Sequence, residues 1–396
     1  MCVKLPTLRG QFFIWARCTS FAAACAVGSP AWSGALHVSN PAELAEVKTS
    51  QGFATAYSLE ANTFMSISGM GPMFAGELYT GDVKYAPRSG KNLAISQSML
   101  ALGYERPGWR FSAFKKQDAW LEIEEKTLDV LNANMAGRSL PTTQAMPIGV
   151  QFAGYEATGV KVEKAFGFQG VGNQSWALGL GLSALMGNSL RLTEANGTVQ
   201  QTANAYLYTA NTNDSASSAS YDFIRPDKVS AEGYELDVGA RYRLNAKQTL
   251  GMAVNDAFSS VVWRNMPNTQ LAINNQQVGK DANGFAKPSL TGTNDLNRRV
   301  ITQTLEPKYH MEWAHDDGDR RWSVVGQSMR SHAMAGLGHG MRLTGDHWLE
   351  LGWESYFNSL FLGYKGKYVK VIYRTRQPLS DQGNVNELGV SGFVSF

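Results

Sequence analysis

Eight charged residues in this chain share a placement that chemistry could use. Glu235, Asp237, Arg241 and Arg243 alternate with Tyr234, Leu236, Val238, Ala240 and Tyr242. Glu350 and Glu354 alternate with Leu349, Leu351 and Trp353, and Lys370 and Arg374 with Val369, Val371 and Tyr373. Side chains of a strand point alternately to opposite faces, so each stretch has one charged and one apolar face. Acids and bases facing each other across an enclosed space can set up a transverse field that selects solutes. They can equally pair across strands and fill the space.

Other chemistry is harder to find. The histidines are His37, His310, His315, His332, His339 and His347. Ser331-His332 and Gly338-His339-Gly340 are the only places where a nucleophile and base could be sought, and no catalytic signature surrounds them, so no enzyme activity is expected. No metal-site spacing and no cofactor motif is present. Gly167 to Gly172 (GFQGVG) is not followed by a helix pattern and reads as a turn.

The elements that carry the charges come next. Gly233 to Asn255 is a hairpin: after Asn245 to Gln248 the alternation resumes, with Leu250, Met252 and Val254 opposite Gly251, Ala253 and Asn255. Similar segments recur from about Phe74 onward. Trp176, Leu178, Leu180, Leu182, Ala184 and Met186 form one apolar face, with the small residues Ala177, Gly179, Gly181 and Ser183 behind it. Pro107-Gly108, Thr158-Gly159, Gly187-Asn188 and Asp316 to Asp319 supply turn signals. Asn211 to Ser220 and the polar stretch Asn265 to Arg298 read as external loops, and Asp118 to Asn134 as a helix capped by Asp118, in a loop or folded into the lumen, with a strand as the alternative. Between Asn358 and Lys367 either one long strand or a further turn fits.

Composition narrows the class. Charged residues make up 17% of the 396, glycine occurs 40 times, and no apolar run is long enough for a membrane-spanning helix. Residues 1–35 read as a secretory signal peptide: Lys4, Arg9 and Arg17 precede an apolar Thr19 to Val27, and Ser33-Gly34-Ala35 offers small residues for cleavage. Ala22-Ala23-Ala24-Cys25 is a loose alternative of the lipoprotein kind. All three cysteines fall in this leader, so the mature chain has no disulfide to stabilise it; closure of a sheet on itself would serve. The leader's three positive charges account for the whole net charge of +3, which removes the basic field expected of a nucleic-acid binder.

The last residues decide between a soluble sheet and a membrane barrel. Leu388, Val390, Val394 and Phe396 share one parity and the sequence stops on Phe396. This resembles the C-terminal β-signal of Gram-negative outer-membrane proteins, which implies contact with the barrel assembly machinery through the last strand. Asn40 to Ala45 (NPAELA) resembles a stretch near the start of long-chain fatty-acid transporter barrels, where it belongs to a plug inside the barrel. Its capping residue (Ser39 or Asn40) and Pro41 also fit a short helix.

The expectation is therefore an all-β transmembrane, antiparallel up-and-down barrel of about 14 strands (12–16) in the outer membrane. Residues 1–35 would be the signal peptide, 36–70 an N-terminal segment and possible plug, and 71–396 the barrel; the weakly patterned Phe53 to Gly71 fits a first strand or an internal segment. Lipid, the assembly machinery and a small-molecule solute are the partners expected, and nucleic acid is not. The eight charged residues would line the lumen of a transport barrel for small or apolar solutes. A plugged structural or assembly barrel is the alternative, and a lipid-modifying barrel enzyme a more remote one.

Overall fold

A computed structural model describes residues 36, 38–66, 84–85, 88–135, 140, 144–170, 174–202, 206–219, 228–280, 286–376 and 384–395. The signal peptide and Phe396 lie outside the described residues. The long strands are β1 (Gln51–Asn62), β2 (Lys91–Arg106), β3 (Trp109–Glu124), β4 (Met146–Gln169), β5 (Ser175–Gln201), β6 (Tyr206–Ala216), β7 (Ser230–Arg243) and β8 (Gln248–Lys280). They continue as β9 (Ala286–Gln303), β10 (Lys308–Asp316), β11 (Arg320–Met329), β12 (His332–Thr344), β13 (His347–Glu354), β14 (Ser359–Lys365), β15 (Val369–Thr375) and β16 (Asn384–Ser395).

All but β6 and β9 form a closed ring of 14 antiparallel strands. Closure is made by β1 on β16, in register from Gln51 opposite Ser395 to Asn62 opposite Asn384. A closed ring leaves no sheet edge, which answers how the described residues, none of which is a cysteine, are held together.

The two faces are inverted relative to a soluble protein. On β5, Leu182 is 59% exposed while its neighbour Ser183 is 1% exposed. Leu100, Leu102, Val160, Val162, Leu178, Leu180, Leu351, Leu362 and Leu388 are all exposed, whereas Glu105, Glu163, Glu235, Asp237, Glu354 and Arg374 are buried. An apolar outside around a polar inside is the pattern of a sheet that meets lipid. No described helix is long and apolar enough to cross a membrane, which says nothing of strands.

One end of the ring has short turns, at Pro107-Gly108, Leu244 to Lys247, Asp317 to Asp319 and Gly366 to Tyr368. At the other end β4, β5 and β8 continue past the ring. There β6 pairs with both β5 and β8, and β9 pairs with the distal half of β8. The helix α1 (Glu125–Met135) packs against the outer side of this extension, burying Leu128 beside Ala94 and Ile123.

Several expectations change. Asp118 to Glu124 is strand, and only Glu125 onward is helical. Both periods were present: Leu128 and Leu131 lie at helical spacing, while Phe114, Lys116, Asp118, Trp120 and Glu122 alternate inward. Thr158-Gly159 is no turn. β4 runs through it, because a Cβ at Gly159 would lie 2.7 Å from the Phe114 ring and 2.6 Å from the Ala184 carbonyl oxygen. Gly187 likewise lies inside β5, against the Trp263 ring. Asn211 to Ala216 is strand, and the stretch from Asn265 to Arg298 is mostly a paired ribbon outside the ring, where polar residues can face water on both sides. Between Asn358 and Lys367 there is no single long strand: β14 stands there with a turn on each side, at Ser355 to Asn358 and at Gly366 to Tyr368. The N-terminal boundary also moves: β1 is a barrel strand, so the segment inside the lumen ends before Gln51, not near residue 70.

Candidate functional site

That segment is the first feature of the lumen. Asn40 caps a 3-10 helix, Pro41–Glu46, by accepting the Ala42 N–H at 3.0 Å. The helix lies against β4, β5 and β7. Gly179 and Gly239 make the approach possible: a Cβ at Gly179 would fall 2.1 Å from the Ala42 nitrogen, and one at Gly239 2.1 Å from Asn40 Oδ1. The small inward face of β5 thus has a steric cause. Polar ties fix the segment along its length. The Gln327 amide accepts the Leu36 N–H at 2.6 Å and donates to the Leu36 carbonyl at 2.7 Å. Asn255 pairs with both the N–H and the carbonyl of Ser39, and Gly108 N–H donates to the Leu44 carbonyl at 3.0 Å.

The expected lumen residues divide among different tasks. Arg241 and Arg243 both reach Glu46 of the short helix, at 3.1 and 2.6 Å. Glu235 and Asp237 are buried in an ion-pair network that crosses the lumen. Lys116 on β3 meets Glu235, and Asp256 at 3.5 Å; Ser183 donates to Glu235 at 2.9 Å. Lys161 joins Asp237 and Glu163 at 2.5 and 3.1 Å, and Lys308 joins Asp118, and Asp256 at 3.1 Å.

The others stay near the wall. Glu354 accepts the N–H of Tyr356 at 2.5 Å and of Phe357 at 3.0 Å, so it holds the turn that follows β13. Arg374 pairs with Glu387 on the next strand at 2.7 Å. Glu350 sits across from Gly340, its Cγ 3.2 Å from where a Cβ there would be, and Lys370 lies across from Lys365. The eight therefore do not make one ring.

Sequence reasoning passed over Lys116, Asp118, Lys161, Asp256 and Lys308. The first two share strand parity with Phe114 and Trp120; for Asp118 that signal is masked by reading a helix from there on, while Lys116 lies at the end of a segment read as strand. Asp256 could not be found that way. It sits in a bulge of β8 at φ 56°, with four residues advancing on β8 while β7 advances two, and this turns its carboxylate inward.

Nearer the extended end, Glu122 is a second junction. It accepts from Arg330 at 2.9 Å and Lys91 at 3.4 Å, and pairs with His332 Nε2 at 2.9 Å. His332 Nδ1 meets the Tyr356 hydroxyl at 2.7 Å. Arg330 stands in the tight turn between β11 and β12 at φ 55°, a left-handed conformation that costs a non-glycine residue about 1 kcal/mol or more. Its guanidinium offsets this by stacking 3.8 Å from the Trp120 ring centroid and by binding Glu306 and Gln151 at 2.9 and 3.0 Å. Arg330 thus reaches the β3–β4 wall from the far side of the ring.

With Lys308 and Asp118 below it, this contact joins β3 to the opposite wall. Two groups of buried apolar side chains fill the lumen. Leu36, Leu59, Leu93, Ile95, Met329, Met334, Phe357 and Val385 form one. Phe114, Tyr155, Leu185, Leu190, Val261, Trp263 and Met266 belong to the other. Beyond Glu122, a cavity of about 390 Å³ opens at the extended end, lined in part by Lys91, Gln151, Glu194 and Thr198.

The Ser331-His332 and Gly338-His339 pairs do not form nucleophile–base contacts: His332 is taken by Glu122 and Tyr356, and His339 lies against Trp322 with the ring planes tilted by 40°. Among the described residues no cluster of three potential metal ligands occurs.

No protein-family model matches the chain, and no curated protein sequence does. Solved structures of similar architecture include the P. putida toluene transporter TodX, at 11% identity and a TM-score of 0.45 over 91% of this chain and 93% of that one. A Pseudomonas aeruginosa FadL homologue is 11% identical, with a TM-score of 0.41 over 90% and 93%. The Ralstonia pickettii toluene transporter TbuX is 9% identical, with a TM-score of 0.31 over 90% and 92%. The fold assignment stands on the ring's own register.

Proposed function

We propose that this chain is an outer-membrane barrel that passes small apolar solutes. The observation that carries this is the lumen: apolar side chains, Leu36 of the N-terminal segment among them, are gathered inside a polar wall beside the cross-lumen ion pairs. A wide aqueous channel has no use for Trp263, Phe114, Leu93 or Phe357 turned inward, since a water-filled lumen would wet each of these buried apolar surfaces. A solute that sheds its own hydration on reaching such a surface gains what the wall gains.

The short turns would face the periplasm and the extended end the outside, the usual asymmetry of these barrels. Leu388, Val390 and Val394 project outward from the closing strand, where an assembly factor could reach them before closure. On this reading the leader is removed on export.

The test is uptake of a small aromatic hydrocarbon by cells carrying the barrel, beside single-channel recording of the refolded protein. Faster hydrocarbon uptake without large steady conductance supports the proposal. Large steady ion conductance would point to an aqueous pore instead, and neither activity to the plugged structural barrel, which the cross-lumen ion pairs also fit. Glu122→Gln, which weakens the hold on Arg330 and His332, should raise hydrocarbon uptake several-fold. Unchanged uptake in that variant would remove Glu122 from the route.

A further inference from the structure

The outer face at the short-turn end carries a feature that transport does not use. Trp109 opens β3, with Arg106 opposite it on β2 and Lys164 opposite it on β4. The Lys164 ammonium lies 4.3 Å from the indole centroid and the Arg106 guanidinium 5.9 Å. Phe111 stacks on the same indole at 5.9 Å with the planes 6° apart, and Phe166 lies 5.5 Å from the Lys164 nitrogen. Tyr104, Phe111, Val162 and Phe166, on the same parity, are exposed, which puts the group on the lipid side.

Neither cation has a carboxylate partner among the described residues. The acids beside them in sequence, Glu105 and Glu163, point the other way and bind Arg110 in the lumen, at 2.8 and 3.3 Å. By contrast Lys115, on the same outer face farther along β3, is neutralised by Glu156 at 2.8 Å. Two positive charges thus bracket one indole at the rim of the apolar belt, the depth at which tryptophan settles in a bilayer.

We propose that Arg106, Lys164 and Trp109 form a binding site for the phosphate of an anionic phospholipid in the membrane leaflet next to the short turns. The cations would supply charge-assisted hydrogen bonds to the phosphate oxygens, and the indole would lie against the glycerol region. The site rests on the reading of the chain as a membrane barrel. Two basic side chains near a bilayer surface amount to roughly a thirtyfold preference for an anionic over a zwitterionic lipid.

The experiment titrates the full refolded barrel in micelles with phosphatidylglycerol or phosphatidylcholine and counts bound lipid by native mass spectrometry. Phosphatidylglycerol should bind about thirtyfold more tightly. Arg106→Gln with Lys164→Gln should reduce that to the phosphatidylcholine level without altering the folded gel mobility, and Lys115→Gln should leave it intact. Equal binding of the two lipids by the unaltered protein, or full preference in the double variant, would overturn the site. Displacement by inorganic phosphate alone would overturn the lipid assignment in favour of a plain anion site. Failure of the barrel to insert into vesicles at all would instead remove the membrane reading on which the site depends.

Discussion

Substituting Gly179 tests whether the N-terminal segment is seated as described. Gly179→Ala places a methyl group 2.1 Å from the Ala42 nitrogen and 2.3 Å from the Pro41 carbonyl carbon. Both are backbone atoms, so no side chain can swing aside; the helix itself must recede by at least an ångström. Overpacking of this kind costs about 1–3 kcal/mol, which corresponds to roughly a fivefold to 150-fold shift towards the displaced helix. Moving the helix also strains the Asn40 bond to the Ala240 carbonyl, 3.1 Å long, and the pairs that Glu46 makes with Arg241 and Arg243. The assay is planar-bilayer recording together with limited proteolysis at the exposed Lys48. The variant should open more often and be cut faster, while Gly326→Ala, where nothing lies within 4 Å of the new methyl, should behave as the unaltered protein. If Gly179→Ala matches Gly326→Ala in both assays, the helix does not rest on β5 and the steric account of that glycine fails.

Other perturbations separate the parts of the lumen. Lys308→Met leaves Asp118 and Asp256 facing each other without their shared cation and should cost about 3–5 kcal/mol in urea unfolding from vesicles; a loss under 1 kcal/mol would mean water already screens the network. Trp263→Ala empties space between Gly187 and Met266 and leaves Gln303 without the 2.9 Å indole N–H it accepts, so a loss of about 3–5 kcal/mol is expected in the same measurement. At the turn after β10, Asp317 is held below the usual carboxylate range, first by the Arg320 N–H at 2.9 Å and also by the Asp319 N–H. Because its pKa is depressed, the tie is present above the ordinary carboxylate pKa and is lost as pH falls through the lowered value. Protection of the Arg320 amide against hydrogen exchange should therefore decline under acid, and Asp317→Asn should flatten that dependence.

Much of the ring was readable, because alternation against lipid is a local property. Leu178, Leu180 and Leu182 need no partner to declare a face, and Leu388, Val390 and Val394 do the same at the other end. The helix start at Asn40-Pro41 was equally local, resting on one side chain and a fixed φ. Where reading failed, two periods coexisted, as from Asp118 to Leu131, or a glycine served packing and not turning, as at Gly159 and Gly187. A glycine in a strand reports that something comes close. What comes close, whether Phe114, Trp263 or Ala42, belongs to a segment far away in the chain.

The charged residues show the same limit from the other direction. Alternation places Glu235, Asp237, Arg241 and Arg243 on one face of β7, yet the first pair faces lysines of other strands and the second faces Glu46 of the N-terminal helix. Parity says that a charge is inside; only the closed ring says what lies opposite. Since β3 reaches residues of β7, β8, β10 and β12 on the other walls, its inward side chains bring together groups that no adjacent-strand register pairs. A charge paired along the wall, such as Arg374 with Glu387, can be lost without changing what blocks the lumen. A charge paired across it, such as Lys308 with Asp118, cannot. Single substitutions should accordingly divide into those that alter stability alone and those that alter stability and passage together. The division should follow which wall the partner stands on, not burial, because Arg374 and Lys308 are both buried.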